Sequence, residues 1–253
     1  MDYGRRRTKK YTFRVPKVEE LKKLGKLVVN PQAFRIKYGE LLSLLKINIV
    51  EGILPTLVQF YDPVYHCFTF SDYQLMPTLE EYSHLVGIPI FTRDPFSGLE
   101  KDLKEVTIAA NTPLKVSDIK AHMTTKGKIQ GLPTEFMMEQ AQYFARIQDV
   151  NAFEAVFALL IYGLFLFPNI DNFVDINAIK IFLIGNPVPT LLANAYHSEH
   201  LKNLHNGGMI TCCIPLLYKW LTSHLPKSDT FWDLKDGLWW SQKIMSLTYS
   251  DID

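Results

Sequence analysis

The sequence predicts a mainly α-helical single domain with a small β-hairpin near residues 57–70. Three observations predict it. Caps and stops recur at intervals suited to helices, and apolar residues repeat with a helical period between them. One short stretch of aromatic and β-branched residues brackets an Asp-Pro turn. The 253 residues suit one large domain or two small ones, and no internal repeat, low-complexity run or linker divides them. An apolar fraction of 47% with 13 Gly and 14 Pro excludes collagen, a disordered chain and a disulfide scaffold.

Asn30-Pro31 opens the first clear helix, with a side-chain acceptor at the cap and a proline at the first helical position. Phe34, Tyr38, Leu41, Leu42, Leu45 and Ile49 follow as one apolar stripe, with Lys37, Glu40 and Lys46 off it. Leu57–Tyr61 and Tyr65–Phe70 flank Asp62-Pro63 and read as the two arms of the hairpin. Thr78-Leu-Glu-Glu81 is a capping box. Its helix should run to Val86 and close on a left-handed Gly87, and Pro89 prevents resumption. Residues 91–115 lack a sustained period and read as an irregular connection with at most one short helix.

Thr134 opens a helix over 134–148, and Asn151, with Glu154 three residues on, is the expected cap of an apolar helix. Asp175 caps Ile176–Ile184, which Gly185-Asn-Pro187 ends. Thr190 opens 191–204, stopped by Asn206-Gly207-Gly208. Pro215 sits inside the apolar run Met209–Leu225. An interior proline costs about 3 kcal/mol, so a kink or a helix restarting there is expected. Residues 229–247 form a last amphipathic helix, with Asp229 near its start and Trp232, Trp239 and Trp240 along it. No capping glycine or polar tail follows, so the domain is expected to be truncated at its C-terminus, with 229–253 exposing apolar surface. Adjacent on a helix, Trp239 and Trp240 cannot share one narrow stripe. They are candidate partner contacts, with burial in the core or against a missing segment as the alternatives.

Ala155–Phe167 holds 13 residues without a charge. A spanning helix needs roughly 20, and neither flank carries a Lys/Arg bias. The run reads as a core helix, apolar on all sides, and no membrane partner is expected.

The net charge of +1 hides an asymmetry. Residues 1–26 hold ten Lys or Arg against three acids, while the remaining chain holds 17 against 23. The first 26 residues therefore read as a basic N-terminal arm on a mildly acidic body spanning 27–253. Arg5, Arg6, Arg7, Lys9 and Lys10 are the candidate nuclear-import or nucleic-acid residues, non-specific phosphate contact being open to the same cations. A solvated leader is the plainer alternative. Such dense like charge should keep the first dozen residues extended and out of the core. Met1–Arg14 is basic with no apolar stretch behind it, so no secretory signal is expected. Three Cys suggest a reducing compartment.

Candidate chemistry is sparse. No Gly-x-Gly-x-x-Gly, P-loop or Gly-x-Ser-x-Gly occurs. His197, His200, His205, Cys212 and Cys213 lie close in sequence without a zinc spacing, and read as surface histidines and buried thiols. His66-Cys67 as adjacent strand residues would face opposite ways. Glu80-Glu81 and Glu19-Glu20 read as helix N-terminal charge and a solvated face. No catalytic, cofactor-binding or metal residue is expected.

Three stretches carry a family resemblance: Leu57-Val-Gln-Phe-Tyr-Asp-Pro-Val-Tyr-His-Cys-Phe-Thr-Phe70, Pro77-Thr-Leu-Glu-Glu-Tyr-Ser-His-Leu-Val-Gly-Ile-Pro89 and Ile161-Tyr-Gly-Leu-Phe-Leu-Phe-Pro168. Leu216-Leu-Tyr-Lys-Trp-Leu-Thr-Ser-His-Leu-Pro226 adds a fourth. In this order, over roughly residues 30–226, they resemble the plant mobile domain family, found in plant transposable elements and in host proteins derived from them. The chain departs from that pattern over 188–205, as a divergent, transposon-side branch would.

The matched motifs are caps, stops and apolar faces, so the resemblance implies no catalytic residue. The family's label "aminotransferase-like" finds no lysine here in a recognisable cofactor context. What the resemblance implies is a non-catalytic nuclear interaction module, linked to transposon silencing, gene expression or genome maintenance. Its implied partners are nuclear proteins, a serine/threonine phosphatase among them. The alternatives are a transposon-encoded hydrolase or nuclease with an unrecognised site, and a direct DNA-binding protein.

Overall fold

Helix punctuation sets the architecture, although several elements begin or end elsewhere than the sequence suggests. The computed structural model describes residues 10–90, 103–204, 207–227, 231–232 and 237–252, the side chains of 10, 199–204, 207 and 237–241 excepted. Strand β1 (Lys10–Phe13) is followed by α1 (Glu19–Gly25), α2 (Pro31–Tyr38), α3 (Leu41–Leu44) and α4 (Ile53–Leu57). Asn30 caps α2 as expected, accepting from Ala33 N at 3.0 Å. The stripe from Phe34 to Ile49 is not one helix. Gly39, at φ 73°, ends α2 because α5 ends against it: a Cβ there would lie 2.3 Å from the Val86 carbonyl. Glu40 N donates to that same carbonyl at 2.6 Å. Phe34, Leu41 and Leu45 nevertheless all reach the core.

The hairpin is shorter than expected. Leu57 ends α4 (Ile53–Leu57) and Val58–Phe60 is a 3-10 turn, so the expected first arm is mostly helical. Strands β2 (Tyr61–Asp62), β3 (Cys67–Thr69) and β4 (Gln74–Leu75) then form an antiparallel sheet. Its turn is tied by Asp62, whose Oδ1 accepts from Val64 N at 2.8 Å. Helix α5 (Leu79–Val86) carries the expected capping box and closes on Gly87 at φ 71°. Of 91–115, residues 91–102 lie outside the described residues, and the rest forms α6 (Glu105–Asn111) before α7 (Val116–His122). Strands β5 (Thr124–Lys126) and β6 (Ile129–Pro133) make a ribbon that the sequence reading missed.

Helix α8 (Thr134–Arg146) packs antiparallel along α9 (Val150–Ile161), the buried centre of the molecule. Asp149, not Asn151, caps α9, accepting from Ala152 N at 3.0 Å. Glu154 is therefore no cap partner but a buried carboxyl. The apolar run then changes pitch into a π-helical turn, Tyr162–Leu166, and no described helix is long and apolar enough to cross a membrane. Gly163 allows that turn to approach β7 (Phe173–Asp175): a Cβ there would lie 2.7 Å from Val174 Cγ1.

Asp175 caps α10 (Ile176–Ile184) through Asn177 N and Ala178 N, and Gly185 ends it at φ 76°. Helix α11 (Val188–Leu204) starts before the expected Thr190 because Pro189 fits a first turn. β8 (Gly207–Ile210) precedes α12 (Ile214–Ser223), which starts at Ile214 with Pro215 in its first turn, so the apolar run ahead of Pro215 begins as strand rather than as a kinked helix. The expected last helix is observed as α13 (Gly237–Ser246), residues 228–230 and 233–236 lying outside the described residues.

The arm needs correction. β1 pairs in parallel with β8, in the register Tyr11↔Gly208 and Phe13↔Ile210. Tyr11, Leu21 and Leu24 are buried, and Arg14 Nη1 donates to the carbonyls of Pro168 and Asn169. Residues 10–26 are thus part of the fold, because apolar side chains and strand pairing outweigh the charge between them. The architecture is a mainly-α single domain built from thirteen described α-helices.

Candidate functional site

Three of the four motif-like stretches meet at Glu81. Extended backbone at Thr78 turns its hydroxyl to the α5 amides, and Glu81 N donates to Thr78 Oγ1 at 3.2 Å. Glu81 Oε2 accepts in return from Thr78 N at 2.9 Å and from Thr78 Oγ1 at 3.0 Å. The same oxygen accepts from Trp220 Nε1, on α12, at 3.1 Å. Glu81 Oε1 lies 3.0 Å from His224 Nε2. The Trp220 indole, fully buried, packs on Phe68 of β3 at 5.8 Å and edge-on to His224 at 5.2 Å. One carboxylate therefore closes a helix cap, receives a buried indole and faces an imidazole. With half-exposed Glu81 and less exposed His224 at the rim, the junction welds α5 to α12 and to the β2–β4 sheet.

A second polar cluster joins α2, α9 and α10. Glu154 is 5% exposed; burial raises its carboxyl above the ordinary range, and Lys37 pulls the other way. Lys37 Nζ sits 5.0 Å from the Tyr38 ring centroid. Tyr38 stacks on Phe182 at 6.4 Å, and Tyr162 meets Phe182 edge-on at 5.2 Å. Burial raises both phenols, so both stay neutral across the physiological range. An open groove of about 530 Å³ lies between Val15–Glu20 with Lys22, Ile47–Ile49, Phe165 and Pro215. Its acids Glu19 and Glu20 already pair with Lys22 and Lys23.

Cys67, Cys212 and Cys213 are buried free thiols. Burial pushes Cys213 up to about 12, which keeps it a thiol and a poor nucleophile at neutral pH. His66 sits on the turn at φ 56°, with Nδ1 3.4 Å from Tyr61 OH, and only Cys67 lies on β3, so the two are not both strand residues as expected. His197 is exposed, while the side chain of His200 and all of His205 lie outside the described residues. Among the described residues, no three His, Cys, Asp or Glu gather as a metal set.

Of the candidate arm, Arg5, Arg6, Arg7 and Lys9 lie outside the described residues, and Lys10 opens β1 with its side chain outside the description. Trp239 and Trp240 fall in α13, their side chains likewise outside. Nearby, Trp232 Nε1 donates to the Pro226 carbonyl at 2.7 Å. Phe231, Ile244 and Leu247 are buried, whereas Met245 and Tyr249 are exposed. The C-terminal segment thus covers part of the apolar surface expected to be bare. Glu81 and Trp220 each stood in a motif, but nothing in either motif signals that they meet 139 residues apart.

No curated protein and no solved structure matches the chain. A family model matches residues 21–253, from within α1 through the Glu81 junction to the C-terminal segment, so the chain belongs to the family described as Domain of unknown function (DUF7745).

Proposed function

We propose that the protein is a non-catalytic nuclear interaction module derived from a plant transposable element, acting in transposon silencing, gene expression or genome maintenance. The reading rests on the four stretches that resemble the plant mobile domain. The observation that supports its non-catalytic part is the use made of Glu81: an acid that could serve chemistry instead accepts from Thr78 and Trp220 and holds two helices together. The run Arg5–Lys10 leads directly into β1, so an import receptor gripping it would hold a cargo anchored through Arg14 and Tyr11. The partners proposed are nuclear proteins, a serine/threonine phosphatase among them, with Trp239 and Trp240 as contacts.

The test is a fluorescent fusion too large for passive diffusion into the nucleus. The intact chain should accumulate in plant nuclei, and alanine at Arg5, Arg6, Arg7, Lys9 and Lys10 should leave it cytoplasmic. Exclusion of the intact fusion from nuclei would overturn the reading. So would a divalent-metal-dependent hydrolysis by purified protein that Glu81→Gln abolishes without unfolding it.

A further inference from the structure

The β5–β6 ribbon stands out in charge from the acidic body that carries it. Residues 115–130 hold Lys115, Lys120, Lys126 and Lys128 against Asp118 alone, whereas residues 27–253 together hold 17 basic and 23 acidic side chains. All four lysines are exposed, and none has a carboxylate within 4.0 Å among the described residues. Asp118, the one acid, is half-buried and accepts from Ser117 Oγ at 3.0 Å. Glu135 and Glu139 stand on α8, beyond the base of the ribbon.

The backbone presents these charges on a projection. Register places Lys126 opposite Ile129 and Thr124 opposite Gly131. The third strand, β7, begins to pair only at Gly131, so 125–130 extends past it as a free two-stranded ribbon with every residue of β5 exposed. The turn is tight, with Gly127 and Lys128 both at positive φ (55° and 70°). Helix α7 is held beside the ribbon by its contact with β6 and by His122 stacked at 4.0 Å on Phe136. Lys126 Nζ rests 5.2 Å from the Phe173 ring centroid, which fixes one ammonium near the base. Thr125 and Gln130 add exposed hydrogen-bonding groups at the tip.

We propose that this ribbon, with α7 beside it, is a second nucleic-acid surface that seats on duplex DNA. A two-stranded β-ribbon fits the major groove, unpaired lysines neutralise phosphates and release counterions, and hydroxyl and amide side chains supply the remaining phosphate contacts. The surface lies apart in sequence from Arg5–Lys10, and its test is read without any assay of localisation.

Binding of the full chain to a random-sequence duplex is followed by fluorescence anisotropy across a salt series. The chain with alanine at Arg5, Arg6, Arg7, Lys9 and Lys10 should still bind, its log affinity falling linearly with log salt. The triple variant Lys120→Ala, Lys126→Ala, Lys128→Ala should lose tenfold or more in affinity at low salt, and its salt slope should flatten by about 3. The matching Lys→Arg triple should restore both, and all variants should melt as the parent does, since the changes are on exposed side chains. Failure of the intact chain to bind, or a ribbon variant with an unchanged slope, would overturn the proposal. Equal or tighter binding to polyglutamate, single-stranded RNA or anionic vesicles would overturn it too, by showing attraction to any polyanion or to another partner class.

Discussion

Glu81 closes the α5 cap and receives the Trp220 indole with one oxygen and faces His224 with the other, so Glu81→Ala removes three contacts at once. A lost cap costs about 1 kcal/mol and an orphaned buried donor about 1–3 kcal/mol. The variant should be less stable by about 2–4 kcal/mol in urea titration. A loss well under about 1 kcal/mol would contradict this assignment. Glu154 makes a pH prediction. Burial raises its folded-state pKa, so the folded chain holds that proton more tightly than the unfolded chain. Its contribution is present at acid pH and is lost as pH rises from the ordinary carboxylate range through the raised value. Glu154→Gln should therefore gain on the parent protein as pH rises from about 4 to 7; a variant that loses ground to the parent over that range would show the opposite sign. Gly163→Ala would push a Cβ to 2.7 Å from Val174 Cγ1, and overpacking of this kind costs about 1–3 kcal/mol. A melting temperature unchanged in that variant would mean the π-helical turn yields.

At the scale of elements, local chemistry marked boundaries well where a single residue decides them. Asn30, the Thr78–Glu81 box, Gly87, Asp175 and Pro215 all act as their side chains suggest. Boundaries set by a distant partner were not legible. The stripe from Phe34 to Ile49 breaks at Gly39 because Val86 arrives there, and Asp149 takes the cap from Asn151 by a choice between two good acceptors. The β5–β6 ribbon has too few apolar residues for a strand period, and Thr-Thr-Lys-Gly-Lys reads as a polar loop until β7 pairs with its base. β1 was hidden under its own charge, since nothing local shows that Gly207–Ile210 waits to pair with it. Arg14→Ala should loosen this strand by removing its hold on the Pro168 and Asn169 carbonyls. Amide exchange across Lys10–Phe13 should then speed up while α9 stays protected; unchanged exchange would assign the anchoring to Tyr11 alone.

For the whole molecule, the body begins inside the arm that the charge count marked, since residues 10–26 belong to the fold. Alanine at Arg5, Arg6, Arg7, Lys9 and Lys10 should leave the melting temperature nearly unchanged, since the strand that begins at Lys10 is held by backbone pairing and by Tyr11 and Arg14. A fall of several degrees would make the basic run part of the fold. The central claim is that the motif residues build a scaffold and that contact with partners is made elsewhere on it. Glu81→Ala tests that claim most directly, with stability and nuclear accumulation of the same fusion measured side by side. Stability should fall by about 2–4 kcal/mol while the folded fraction accumulates in nuclei as the parent does. Full stability with lost nuclear accumulation would show that Glu81 meets a partner, and that the junction is the site itself.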